Sequence, residues 1–146
     1  MSTRNTLTRN ERARLIEVAT LAKVNAYSPY SQFRVGAALL TEDYTMFAGC
    51  NVENSSYGLT ICAERNAVFK AVCAGQTTYS AIAIVSDDND FITPCGACRQ
   101  VLAEFAPDIE LILANGKGKT KSMLLNKVFP HPPDLKKLGR PAAKRK

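Results

Sequence analysis

The apolar positions of this chain change period along its length, and the changes outline a fold. From Asn10 to Tyr27, Leu15, Ala19, Ala22 and Ala26 recur at helical spacing, with Asn10 placed to cap the start and Ser28-Pro29 to end it. Phe33 to Thr41 reads as a strand, Glu42-Asp43-Tyr44 as a turn, and Thr45 to Val52 as a second strand. After a polar loop a helical run opens at Cys62 and continues through Ala74, where Gly75 closes it. Tyr79 to Ser86 is nearly all Ala, Ile and Val, the composition of a buried strand. Asp87 to Thr93 reads as loop. Pro94 prepares a helix from Cys95 to Phe105, and Pro107 stops it. Glu110 to Ala114 makes a fourth strand, Asn115-Gly116 a turn, and Lys119 to Met123 a short fifth strand. The order α-β-β-α-β-α-β-β predicts an α/β fold, a mixed sheet covered by helices. At 146 residues this is one domain with a single substantial core.

Charge changes that picture only at one end. The net charge is +6, and residues 136–146 carry Lys136, Lys137, Arg140, Lys144, Arg145 and Lys146 with no acid. Without those six the nineteen basic residues fall to thirteen, matching the thirteen acidic ones. The domain is therefore expected to span 1–135 and be neutral, with 136–146 a basic, disordered tail that aids solubility. Nuclear import or polyanion binding is the alternative role for the tail. Met1-Ser2-Thr3-Arg4-Asn5 lacks the apolar run of a secretory signal, and no apolar stretch is long enough to cross a bilayer. A reducing, cytoplasmic setting is expected, where five cysteines favour metal binding over disulfides. In that setting the sequon Asn54-Ser55-Ser56 is a loop.

The chemistry concentrates in Cys62-Ala63-Glu64 and, thirty-three residues after Cys62, in Pro94-Cys95-Gly96-Ala97-Cys98. Three thiols supply a zinc site that keeps a fourth position for water, and an unligated Glu beside them supplies a general acid/base. Both groups fall where helices begin, and a helix N-terminus favours the thiolate that zinc requires. Cys95 and Cys98, three apart, share one face of the first turn. Three thiolates exceed one Zn²⁺ by one negative charge, so the sulfurs need compensation. Arg65 or Arg99, each beside a ligand, would hydrogen-bond them, with Arg65 preferred. Burial beside an anionic centre should raise the pKa of Glu64, as suits a carboxyl that alternates between acid and base.

Other readings explain less. A redox Cys-x-x-Cys leaves Cys62 and Glu64 without a role, and a closed structural zinc site wants a fourth ligand that Cys50 and Cys73 are badly spaced to give. Both of these are expected to be small buried hydrophobes. The one histidine, His131, lies among prolines in a loop and recommends no hydrolase dyad. Gly116-Lys117-Gly118-Lys119-Thr120 lacks the first glycine of a phosphate loop and reads as a turn.

Several blocks together resemble the small, homotetrameric, three-cysteine cytidine deaminases, over about Leu15 to Leu135. They are the runs from Tyr27 to Ala38, from Gly49 to Gly58, from Thr60 to Arg65 and from Pro94 to Val101. The resemblance implies a three-layer α-β-α fold with a five-stranded mixed sheet and one Zn²⁺ per subunit held by Cys62, Cys95 and Cys98. It implies removal of the 4-amino group of cytidine and deoxycytidine in pyrimidine salvage, with Glu64 catalytic. Asn51 and Glu53 match the pair that holds the ribose hydroxyl, Phe33 the ring that packs on the pyrimidine, and the Ala63 backbone a base-recognising group. Arg65 matches the arginine that contacts sulfur. Ser55, Tyr57 and Phe129 fall where neighbouring subunits of a homotetramer complete one another's pockets.

A free sugar enclosed by Asn51 and Glu53, together with a neutral body, argues against a nucleic-acid substrate and for a small nucleoside. The alternatives are a deaminase of a related cytosine-containing compound, or an inactive zinc-binding interaction module. One departure concerns Leu124-Leu125-Asn126, where the family commonly has Leu-Leu-Pro; losing that proline relaxes φ ahead of Phe129. The other is the length of the basic extension.

Overall fold

A computed structural model of the chain describes residues 6–134; the basic run at 136–146 lies outside the described residues. The order of elements is the one the periodicity predicts: α1 (Arg9–Lys23), β1 (Val35–Thr41), β2 (Met46–Cys50), α2 (Ala63–Cys73), β3 (Tyr79–Ser86), α3 (Gly96–Phe105), β4 (Glu110–Ala114) and β5 (Thr120–Leu124). Short 3₁₀ turns at Tyr57–Leu59 and Leu125–Lys127 complete it. The five strands form one sheet in the order β2-β1-β3-β4-β5. The sheet is mixed: β3 and β4 run parallel across the α3 crossover, and the other neighbours are antiparallel.

Strict alternation in the central strands splits the core into two layers. Ala37, Leu39, Ile82, Ile84, Leu111 and Leu113 face α2 and α3, meeting Ala67, Val68, Ala71 and Leu102. Ala38, Leu40, Ala81, Ala83 and Ile112 face the other way, onto Leu15 and Ala19 of α1. This is the expected α-β-α sandwich, and it explains why β3 reads as continuously apolar. Glycines let the layers close. A Cβ on Gly36 would collide with the Ala19 carbonyl, and one on Gly49 would lie 2.6 Å from the Ala67 amide nitrogen, so α1 and α2 lie directly on β1 and β2.

The free edge of β2 is covered from above. Asn66 Nδ2 donates to the Cys50 carbonyl at 2.8 Å and Lys70 Nζ to the Ala48 carbonyl at 2.6 Å. Both side chains come from α2, four residues apart, and meet carbonyls that point away from β1.

Some boundaries differ from expectation. The cap of α1 is Thr8, not Asn10: Thr8 Oγ1 accepts from the Glu11 amide and Glu11 returns a bond to the Thr8 amide, a reciprocal capping box. The helix ends at Lys23 instead of Tyr27, because Tyr27 is drawn off to pair with the 51–53 backbone, donating to Asn51 O at 3.0 Å. Strand β2 stops at Cys50 because Val52 bridges to Tyr27 and Ile61. Gly75 closes the region after α2 with φ +81, as a left-handed terminator should. Cys50 is half-buried and Cys73 exposed, so neither is the buried hydrophobe expected: β2 is an edge strand, and Cys73 ends α2 on its outer side.

Candidate active site

The two crossing helices α2 and α3 start at cysteines. Cys62 and Cys95 are N-cap residues with extended backbones (ψ 157 and 169), and neither side chain caps its own helix. That leaves both sulfurs free to turn toward each other while the first-turn N–H groups stay without intrahelical partners. Cys98 comes up from the first turn of α3, fully buried. The three Sγ atoms lie within 4.8 Å of one another, and Cys62 Sγ is 3.8 Å from Cys95 Sγ. Tetrahedral zinc with bonds of roughly 2.3 Å requires sulfurs about 3.8 Å apart, so the cluster fits such an ion with little movement. Cys50 and Cys73 lie outside the cluster.

The surroundings fit an anionic centre as well. Arg65 Nη2 donates to Cys62 Sγ at 3.4 Å, and its Nε is buried without a hydrogen-bond partner. A half-buried arginine with an unpartnered Nε beside sulfur suits a site that gains negative charge on metal loading. The sulfur raises the pKa of Arg65 further above its ordinary value. Hydrogen bonding from Cys98, with help from Arg65, lowers the Cys62 pKa to about 5. Cys98, as donor to that thiolate and buried, is pushed up.

Glu64, second residue of α2, is 5% exposed. Burial raises its pKa to about 7, with the nearby Cys62 charge adding to it, and Cys98 Sγ lies 3.8 Å from its Oε2. The carboxyl therefore holds or releases a proton near neutrality, within reach of the sulfur cluster. Of the two arginines, Arg65 meets sulfur; Arg99 instead donates to the Pro94 carbonyl, the Val128 carbonyl and the Thr93 hydroxyl.

The remaining candidates divide into two groups. Asn51 is buried and spans the approach to β1: its Oδ1 accepts from the Val35 amide at 2.9 Å and its Nδ2 donates to the Phe33 carbonyl at 2.7 Å. It thus holds Phe33, which is half-buried against the core. Glu53 Oε1 accepts from the Tyr30 and Ser31 amides at 2.9 and 3.1 Å, and hydrogen bonding, first from Ser31, holds its carboxyl below the usual range. A cavity of about 390 Å³ is lined by Tyr30, Ser31, Glu53, Tyr57 and Thr60, with Tyr30 and Tyr57 edge to face at 5.6 Å.

Tyr30, Ser31 and Thr60 are lining residues that sequence reasoning left without a role, although they lie inside blocks it singled out. Gln32, next to Ser31, takes a positive φ (+57), a turn that a Ser-Gln step does not advertise. Ala63 is buried at the start of α2, where its N–H precedes the helical ladder. Ser55 and Tyr57 are exposed on the loop after β2, and Phe129 packs partly buried against the same core layer as Phe33. Of these three, Tyr57 lines the cavity beside Glu53.

Residues 9–113 match the family described as the cytidine and deoxycytidylate deaminase zinc-binding region. The chain belongs to this deaminase family. A cytidine deaminase of Sporosarcina psychrophila is 48% identical over 118 residues, covering 80% of this chain and 87% of that protein. The crystal structure of a Burkholderia pseudomallei cytidine deaminase aligns with TM-score 0.80 at 45% identity, over 86% of this chain and 99% of that one. More distant is a blasticidin-S deaminase of Bacillus cereus, 35% identical over 70% of this chain and 79% of that protein. The zinc-binding deaminase assignment and the three-sulfur cluster agree.

Proposed function

We propose that this protein is a cytidine deaminase, hydrolysing cytidine and deoxycytidine to uridine and deoxyuridine with release of ammonia, in cytoplasmic pyrimidine salvage. The observation that carries the reading is a buried carboxyl, Glu64, poised near neutrality beside three converging sulfurs. Zinc held by Cys62, Cys95 and Cys98 would supply Lewis-acid activation of water. Glu64 takes a proton from the attacking water and delivers it to the pyrimidine ring nitrogen; it then takes the proton of the new C4 hydroxyl and gives it to the 4-amino group, which leaves as ammonia while the C4 carbonyl forms. The Ala63 amide and the Glu64 carboxyl recognise the base, the Phe33 ring packs on it, and the Glu53 carboxylate receives the ribose hydroxyl. Asn51 contributes its second N–H while holding the Phe33 segment. Arg65 offsets the charge of the thiolates.

Residues 1–135 form the catalytic domain in this reading, and 136–146 a basic appendage. Four copies assemble so that Ser55, Tyr57 and Phe129 reach neighbouring pockets. Tyr57, 74% exposed, and Leu59, 65% exposed, support this, being large apolar groups that one chain leaves uncovered. No described helix is long and apolar enough to cross a membrane.

The test is an ultraviolet assay on cytidine, deoxycytidine, cytosine, cytidine monophosphate, a cytosine-bearing oligonucleotide and blasticidin S, with zinc quantified in the same preparation. Turnover of the two nucleosides above the rest is expected. Preference for blasticidin S or for the oligonucleotide would replace the substrate assignment, and a zinc-loaded protein that turns over none would be an interaction module.

A further inference from the structure

Arg99 is left over once Arg65 has taken the sulfurs, yet its side chain is more fully bonded than that of Arg65. Its Nε donates to the Pro94 carbonyl at 2.7 Å, its Nη2 to Thr93 Oγ1 at 3.0 Å and its Nη1 to the Val128 carbonyl at 3.1 Å. Its own amide donates to the Cys95 carbonyl at 2.9 Å, the first bond of α3. One residue therefore grips the turn that presents Cys95 from two sides, and with the same planar fork reaches the C-terminal segment. The start of that segment is held by Leu125, which is fully buried in the core and whose amide donates to the Ile109 carbonyl at 2.9 Å. Asn126 stands in the 3₁₀ turn and is tied to Asp108 by a bond of 2.7 Å from its Nδ2, while its Oδ1 is buried without a partner. The amides of Val128 and Phe129 both donate to the Leu125 carbonyl, so the Val128 carbonyl leads directly out of the turn that aims Phe129.

We infer that Arg99 is a positioning residue that fastens the Thr93–Cys95 turn to the Leu125–Phe129 turn, so that placement of a sulfur ligand and of the Phe129 ring are coupled through one guanidinium. A lysine has the charge but not the fork, and cannot meet three acceptors lying in different directions. The coupling concerns the chain's own backbone and exists with or without metal. Only its kinetic consequence rests on the deaminase reading.

The experiment compares Arg99→Lys, Arg99→Ala, Phe129→Ala and the Arg99→Ala/Phe129→Ala double variant with the parent. Amide hydrogen exchange is followed at 93–99 and 125–129 in metal-free and zinc-loaded protein, and zinc transfer to a chromogenic chelator is timed. Both Arg99 variants are expected to lose protection at 125–129 by about tenfold or more in the metal-free state, and to release zinc roughly 10- to 100-fold faster. Phe129→Ala should leave zinc release unchanged. In cytidine kinetics, Arg99→Ala should raise KM more than it lowers kcat, and should raise KM little further in the Phe129→Ala background. Parent-like protection and zinc release in Arg99→Lys would show that charge suffices and overturn the inference, as would faster zinc release with unaltered protection at 125–129. Absence of cytidine turnover in the parent would count against the deaminase reading alone, since exchange and zinc release still decide the role of Arg99.

Discussion

Glu64 joins two properties that usually exclude each other, deep burial and ready ionisation, and the conflict has measurable consequences. Glu64→Gln keeps the size and removes the proton-carrying oxygen, so zinc content should stay near parent while kcat falls by roughly 10²–10⁴. Metal analysis and turnover on one sample check this; loss of zinc with turnover intact would refute the role. Stability follows from the direction of the shift. The folded pKa, about 7, lies above the ordinary 4.5, so the folded state prefers the protonated carboxyl. The contribution is complete below about pH 4.5 and is lost as pH rises through 7. Urea unfolding of metal-free parent and Glu64→Gln at pH 5 and pH 8 should therefore show the parent losing stability relative to the variant, by roughly a few kcal/mol. A difference independent of pH would mean that the burial penalty is met elsewhere.

At the level of elements, the site depends on two helix starts held at fixed separation. Cys95→Ala removes one sulfur from the junction between α2 and α3, and should release zinc and lower the midpoint of thermal unfolding, since binding energy at such a site is folding energy. Gly49→Ala tests the seat of α2: the added methyl meets the Ala63 carbonyl and the Ala67 amide, at a cost of about 1–3 kcal/mol. Denaturant midpoints measure it, and an unchanged midpoint would show that α2 can lift off β2 freely.

What could be read beforehand follows the same division. Strands β3 and β4 match their expected limits because an unbroken apolar run leaves the boundaries to flanking polar residues. The sulfur cluster and Glu64 were legible because their spacing is local to two helix turns. The ends of α1 and β2 were not, since Tyr27 and Val52 answer to each other across the fold. The lining role of Tyr30 and Ser31 depends on Glu53 reaching back twenty-three and twenty-two residues. The destination of Arg99 likewise depends on Val128, twenty-nine residues away. No periodicity encodes such meetings.

For the whole molecule, the neutral body and the separate basic run predict independence: deleting 136–146 should leave nucleoside kcat and KM within about twofold, as surface changes away from structural features usually do. A large fall in kcat would mean the run reaches a pocket. The covering of the β2 edge has its own consequence. Outward carbonyls on a terminal strand are a template on which a foreign strand can grow. Here Asn66 and Lys70 occupy two of them. Stripping both to alanine leaves Glu64 and the three clustered sulfurs in the sequence but bares that template, and fibrillar deposits on storage are the expected outcome.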